Sequence, residues 1–355
     1  MSVALLVFRL VEPELPLVIG VDAGGSHTRV LVASVAGARV AAAASGGGNP
    51  TSCGLGATVS SLRAGLESAL FGLDARLIRG AVLGVAGASP CIEELRAALR
   101  ETWRALGLGC PFEVVSDLEA AFAAGTPAED GIVLVAGTGA AAAQVRRGRV
   151  VRHVDGHGWL LGDDGSGFWL GRESLRACLA HMDGRGRPTG LTEPVLRALG
   201  VAGTPDDPAV ARRVKEVVYQ RPPVALAELA PLVTTAAAGG DEVAVAIVER
   251  AAALLLSAAE ALLPAGPLTQ EGVVLAGGVL LAPGPLSSSV RSGLRERLGR
   301  APTLATDGAA GAAVLALRAL TGQPIPPGVH ERVRSATGFA ADRVALAPRT
   351  LQVVL

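Results

Sequence analysis

Lysine is almost missing from this chain. Of its 32 basic residues only Lys215 is a lysine, so a mechanism built on a P-loop lysine or a Schiff base has almost no material. Cysteine is scarce as well. Cys53, Cys91, Cys110 and Cys178 lie far apart with no Cys-x-x-Cys pair, a spacing that argues against a zinc or iron-sulfur site and predicts reduced, buried thiols. Neither charge dominates, since 32 acidic residues balance the basic ones, and aromatics make up 3%. Without a basic stripe or an aromatic-rich surface, no nucleic acid and no membrane partner is expected, and small-molecule chemistry is favoured. The apolar helix predicted over 241–263 carries Glu249, Arg250 and Glu260, so it reads as a buried helix rather than a bilayer span. Residues 1–16 are too short and too interrupted by acids and prolines for a signal peptide. They read as a loose leader, and the protein as cytoplasmic.

What is abundant is glycine and apolar sequence, 46 glycines and 50% hydrophobic residues in 355. That length exceeds the size at which single cores stop growing, which predicts two domains. The chain is organised around residues 17–32. An apolar run ends in Asp22, then Gly24, Gly25, Ser26, His27 and Thr28 follow, then a second apolar run. This predicts two paired strands joined by a tight turn, either an ordinary glycine-rich hairpin or one whose backbone approaches an anion, with Asp22 at its mouth to hold a bridging metal.

A third strand is expected at 39–44, followed by a glycine-rich loop in which Asn49 could read a substrate amide or hydroxyl, or simply start a turn before Pro50. A helix to about 71, a buried strand at 81–85, a helix over 91–106 and a strand at 112–116 come next. Asp117 then stands at the carboxyl end of a buried strand and the start of a helix, the place where open α/β sheets bind ligands. A composition shift at 125–131 marks the boundary, giving domains 17–128 and 129–320 and an unassigned tail, 321–355. Beyond it the pattern repeats: a strand at 132–136, the turn Gly137-Thr138-Gly139, then strands at 140–145 and 150–154. The loop from Asp155, dense in glycine and acids, is too rich to be a mere connector. Helices with starts at Thr192, Asp207 and Asp241 fill the middle, before a strand ending in Ala276-Gly277-Gly278 and an Ala-rich helix opened by Asp307-Gly308.

The ordered set Asp22-Ala-Gly-Gly-Ser-His-Thr, Ser116-Asp117, Gly137-Thr138-Gly139, Gly162-Asp163-Asp164-Gly165-Ser166-Gly167 and Ala276-Gly277-Gly278 resembles the N-acetylglucosamine kinase and BadF/BadG-type ATPase family. That resemblance implies an α/β fold of two ribonuclease-H-like domains, the actin-like ATPase fold, around an ATP cleft. It also implies ATP and Mg²⁺ as cofactors and a sugar as the partner molecule, and it leaves a homodimer open. Carried across, it makes Asp22 the metal acid, Gly24, Gly25, Ser26, His27 and Thr28 the first phosphate loop, and Gly137, Thr138 and Gly139 the second. Gly277 and Gly278 would line the adenosine. Asp117 would be the catalytic base facing the sugar, and Asn49, Gly156, His157, Gly158 and Asp163 the substrate contacts. The chain departs from the family pattern at Ala140 and Ala141, where polar residues are usual, and at His157, where tryptophan is frequent. The expected activity is an ATP-dependent amino-sugar kinase. The alternatives are an ATPase that activates a partner enzyme and a non-catalytic sugar sensor.

Overall fold

The computed structural model describes residues 15–263, 272–305 and 307–335. Most of the expected leader and the end of the tail lie outside these residues. Strands β1 (Leu17–Ala23), β2 (Thr28–Ser34), β3 (Arg39–Ser45), β4 (Ile78–Val85) and β5 (Phe112–Val115) form one sheet in the order β3-β2-β1-β4-β5. Strands β6 (Gly131–Ala136), β7 (Ala140–Arg146), β8 (Arg149–Asp155), β9 (Gly272–Ala276) and β10 (Thr303–Ala305) form the second, in the order β10-β9-β6-β7-β8. In each, three strands meander antiparallel and two more run parallel to the first. The repeated strand, turn, strand unit seen in the sequence is therefore the start of a repeated ribonuclease-H-like sheet.

Alternation along each central strand divides the core. Leu17, Ile19, Val21 and Ala23 face the helices Leu55–Leu70 and Ile92–Ala105, where Leu62, Leu66, Leu95, Leu99 and Trp103 are buried. Burying each such leucine contributes about 1.5–3 kcal/mol. The single helix expected up to residue 71 is two, Pro50–Cys53 and Leu55–Leu70, broken at Gly54. On the second sheet Ile132, Leu134 and Ala136 pack on the helical block that includes Gly167–Met182 and Glu242–Glu260. Asp207 and Asp241 cap their helices as expected, whereas the Thr192 hydroxyl lies 3.0 Å from His181 Nδ1 instead of capping. The cysteines depart from the expected burial too: Cys178 is buried but Cys53 is exposed. Among the described residues no helix is long and apolar enough to cross a membrane.

Between the sheets lie two helices, Asp117–Gly125 and Gly308–Thr321. The first is apolar on both sides: Leu118, Phe122 and Ala124 meet the second sheet, while Ala120 and Ala123 pack with the Gly308–Thr321 helix and the first sheet. That last helix, late in the chain, lies on β1. A Cβ on Gly20 would come within 2.2 Å of the backbone of Ala309 and Ala313, and one on Gly311 would collide with the Ala120 carbonyl. Contact this close, backbone on backbone, requires small residues, which explains the alanine and glycine content of both helices. From the tail, a helix at Pro327–Arg334 is added, which the sequence left unassigned.

Candidate active site

Asp22 is the last residue but one of β1 and is paired across the sheet with Arg29 on β2 and Gly84 on β4. Gly84 lacks the side chain that would block the next element: a Cβ there would stand 2.8 Å from Ala120 and 3.5 Å from the Cα of Asp117. On its other side the Asp22 carboxylate touches Gly308, the first residue of the last long helix. Both central helices thus begin beside Asp22, and their amino ends favour negative charge there. The sequence reading treated these as separate features.

Three acids share this spot. Burial pushes the Asp22 carboxyl up to about 6, helped by the negative charge of Asp117 and then of Asp307, and opposed by Arg29, whose guanidinium is 3.8 Å away. Burial also raises Asp117 above the usual carboxylate range. The Ser116 hydroxyl, 3.3 Å from Asp117 Oδ1, the Leu118 N–H and the charge of His153 on β8 oppose that rise. Ser116 caps the helix at the same time, accepting from Leu118 N–H at 3.2 Å. Asp307 caps the other helix and is held by Arg39 at 2.8 Å. Arg29, Arg39, Asp307 and His153 were not singled out from the sequence. Asp307 carried a signal, its Asp-Gly helix start, but the other three reach the site only through strand pairing.

Each sheet contributes a turn with free donors. In the first, Gly24 N–H donates to His27 C=O at 3.0 Å, and among the described residues the N–H groups of Gly25 and Ser26 have no acceptor. Ser26 and His27 are exposed, while Thr28 is buried with its hydroxyl unpartnered. Gly48 N–H donates to Gly24 C=O at 2.8 Å and braces this turn. In the second turn Gly137 N–H donates to Gly139 C=O at 2.8 Å, and Thr138 and Gly139 N–H have no acceptor among the described residues. Gly277 presses on it from β9: at φ +88 a side chain would be strained, and its Cβ would fall 2.3 Å from Ala136 C=O. Gly278 opens the next helix beside it. Paired free N–H groups on glycine turns are anion cradles.

The expected sugar contacts fall in two places. Asn49 caps the Pro50–Cys53 helix, its Oδ1 accepting from Thr51 N–H at 2.9 Å and Ser52 N–H at 3.3 Å. Only its NH₂ end is left to meet a ligand. Gly156 and His157 are exposed on the loop after β8, with Gly158 partly covered and Ala141 beneath Gly156. Asp163 stands against the second turn, its Oδ2 2.7 Å from where a Gly139 Cβ would be. Burial raises its carboxyl, opposed by the Ala140 N–H. Its backbone is left-handed, φ +57, held there by Asp155, which accepts from the N–H groups of Asp163 and Asp164 at 2.8 and 2.9 Å. Strain of this kind persists only where surroundings impose it. Among the described residues no three His, Cys, Asp or Glu side chains group as a metal cage.

Known proteins share this architecture. The model of the BadF/BadG/BcrA/BcrD ATPase family matches residues 19–316. The N-acetylmuramic acid/N-acetylglucosamine kinase of Clostridium acetobutylicum is 30% identical over 201 residues, 56% of this chain and 63% of that protein, just under two thirds of its length. The N-acetyl-D-glucosamine kinase of Dictyostelium discoideum is 28% identical over 316 residues, 84% of this chain and 97% of that protein. A candidate N-acetylglucosamine kinase from Chromobacterium violaceum superposes with a TM-score of 0.66 at 25% identity, over 85% of this chain and 99% of that one. A ROK family glucokinase from Streptomyces griseus shares the fold, with a TM-score of 0.52 at 19% identity over 84% and 99% of the two chains. The fold is the two-domain α/β architecture of the actin-like sugar kinases.

Proposed function

We propose that this chain, which belongs to the BadF/BadG/BcrA/BcrD ATPase family, transfers the γ-phosphoryl group of ATP to a hydroxyl of N-acetylglucosamine or a related amino sugar. The observation that carries the reading is the meeting of Asp22 and Asp117 at the amino ends of two helices, with a free-donor glycine turn on each sheet. Phosphoryl transfer is mostly positioning and charge neutralisation, and these are the groups it needs.

The cradles fit a polyphosphate. Gly24, Gly25, Ser26, His27 and Thr28 would take one part of it and Gly137, Thr138 and Gly139 another, with Gly277 and Gly278 along the adenosine. Asp22 would hold a magnesium ion through water, and such an ion would supply charge neutralisation to the polyphosphate. Asp117 accepts the proton of the acceptor hydroxyl as its oxygen attacks the γ-phosphorus and ADP leaves. The Ser116 hydroxyl and the helix start favour the carboxylate form this step requires. Asn49, Gly156, His157, Gly158 and Asp163 border the sugar side, where Ala140 and Ala141 make an apolar floor.

The test is ADP release from Mg-ATP across N-acetylglucosamine, N-acetylmuramic acid, N-acetylmannosamine, glucosamine and glucose. Strong stimulation by an N-acetylated sugar is expected, and Asp117→Asn should lower kcat by roughly 10²- to 10⁴-fold with ATP binding retained. If no sugar raises turnover, the kinase reading gives way to an ATPase that serves a protein partner.

A further inference from the structure

Trp159, Leu160 and Leu161, on the loop after β8, put three large apolar side chains in a row into water: they are 40%, 71% and 80% exposed. The other exposed large apolar residues among those described are scattered singly. Single ones need no explanation, whereas a contiguous group marks a ligand groove or an interface. This group is held in place. Leu161 N–H and Gly162 N–H both donate to Gly158 C=O, at 3.2 and 2.8 Å, and turn the chain around Trp159 and Leu160. The indole of Trp159 leans on Phe168 with ring centres 5.7 Å apart, and the Arg172 guanidinium lies 5.9 Å from the same Phe168 ring. Phe168 is buried, and its N–H donates to Thr138 C=O in the second glycine turn at 3.1 Å. The rest of the loop closes on the same place. Gly156 lies over Ala141, Asp163 stands against Gly139, and a Cβ on Gly162 would come within 3.1 Å of His157 Cβ. The apolar row therefore stands at the edge of the second turn and of the floor made by Ala140 and Ala141.

We propose that Trp159, continued by Leu160, is the wall against which the acyl chain of an N-acylated amino sugar lies, so that Trp159 sets the choice of acceptor. This rests on the kinase reading and on its placing of His157 and Asp163 beside the sugar. The hydroxyls of a sugar ring need polar partners, and one left unpaired on a methyl surface costs affinity. Asn49, His157 and Asp163 offer such partners, whereas Ala140 and Ala141 offer none. The portion of an amino sugar that suits methyl groups and an indole is its acyl chain. An apolar wall with a few polar groups to fix orientation is the usual make-up of a small-molecule site. Leu160 is more exposed than the indole, so the wall continues outward and accommodates a chain longer than acetyl. Phe168 braces the indole before the sugar arrives, which lowers the ordering cost of the contact.

The experiment measures sugar-dependent ADP release for glucosamine and its N-acetyl, N-propanoyl and N-butanoyl derivatives with the wild-type protein, Trp159→Phe and Trp159→Ala, and records the sedimentation of each protein. In the wild type kcat/KM should rise about fourfold with each methylene from acetyl to butanoyl. Trp159→Phe should keep most of that slope, and Trp159→Ala should flatten the series to within about twofold. A flat or falling wild-type series overturns the proposal, as does a Trp159→Ala variant that loses the same factor on every sugar, since that is a structural loss. A wild-type dimer that Trp159→Ala breaks while the series keeps its slope also overturns it, and assigns the row to a second copy of the chain. If no sugar stimulates turnover, the kinase reading fails and fluorescence still decides the contact, because Trp103 and Trp169 are buried and Trp159 is the exposed tryptophan. Quenching by N-butanoylglucosamine at a lower concentration than by glucosamine, absent in Trp159→Phe, upholds the wall. Equal concentrations, or no quenching, remove it.

Discussion

Asp22 is the residue whose chemistry and stability pull apart. Its carboxyl, about 3.8 in an unfolded chain, sits near 6 in the fold, because burial and then Asp117 disfavour its charge. A raised carboxyl means that the folded state prefers the protonated form. The stability contribution is full below about pH 3.8 and is lost as pH rises through about 6. Asp22→Asn removes the charge altogether, so at pH 8 it should stabilise the protein by on the order of 1–3 kcal/mol. The gain should shrink below pH 6 and vanish near pH 4, while Mg²⁺-dependent transfer is abolished. Melting curves of both proteins at pH 4, 6 and 8 check this, and a variant less stable than wild type at pH 8 would contradict it. An acid held against its own solvation is common where function, not stability, selects the residue.

At the scale of elements, most of the site could be read from the sequence because it lies in turns. The strand, glycine turn, strand units around Gly24 to Thr28 and Gly137 to Gly139 have local signatures, as does the Ser116-Asp117 helix start. Arg29, Arg39 and His153 have none: a residue in the middle of a strand acquires its role from the strand beside it, and pairing is not written in one stretch of chain. The same limit misjudged element ends, as at Gly54, where the helix breaks. The structure also separates the surroundings of two expected sugar contacts. The sequence groups Asp163 with Asn49 as sugar contacts, but Asp163 braces the Gly139 turn while Asn49 caps a helix near Gly87. The two should therefore fail differently. Asp163→Ala frees the Ala140 N–H and puts a residue less tolerant of left-handed backbone beside the Gly139 turn, so it should lower the slow sugar-free ATPase as well as the sugar-stimulated rate. Asn49→Ala should spare the former and weaken only the sugar step, by about 1–3 kcal/mol in kcat/KM if its NH₂ meets the sugar. Measuring both rates in both variants distinguishes a brace from a contact, and equal losses in both rates for Asn49→Ala would remove it from the sugar side.

For the molecule as a whole, the helix Pro327–Arg334 ties the parts together. Arg332 Nε donates to Ala36 C=O at 2.8 Å and Arg39 donates to Val333 C=O at 3.1 Å, both on the first sheet. Arg334 donates to Leu304 C=O of β10 at 3.1 Å, on the second. At the middle, buried His330 donates from Nε2 to Ala123 C=O at 2.8 Å, on the helix that lies between the sheets. Arg39 also holds Asp307, so the strap is one side chain away from the acids of the site. Burial lowers the His330 imidazole below its usual value, against the favourable Ala123 bond and with Arg334 and Arg318 adding to the fall. For a histidine depressed in the fold, stability is full above about pH 6.5 and is lost as pH falls through that value toward the folded one. Acid should therefore loosen the strap in the same range in which protonation of Asp22 tightens the core. The two effects are separable by mutation. His330→Gln keeps a donor for Ala123 and removes the titration, so its melting point should fall less than that of the wild-type protein between pH 7 and pH 5, and the difference should persist in an Asp22→Asn background because the two residues share no partner. Parallel pH curves for the two proteins would mean that His330 does not charge while the fold is intact, and the strap would then be a fixed girder with no sensitivity to pH.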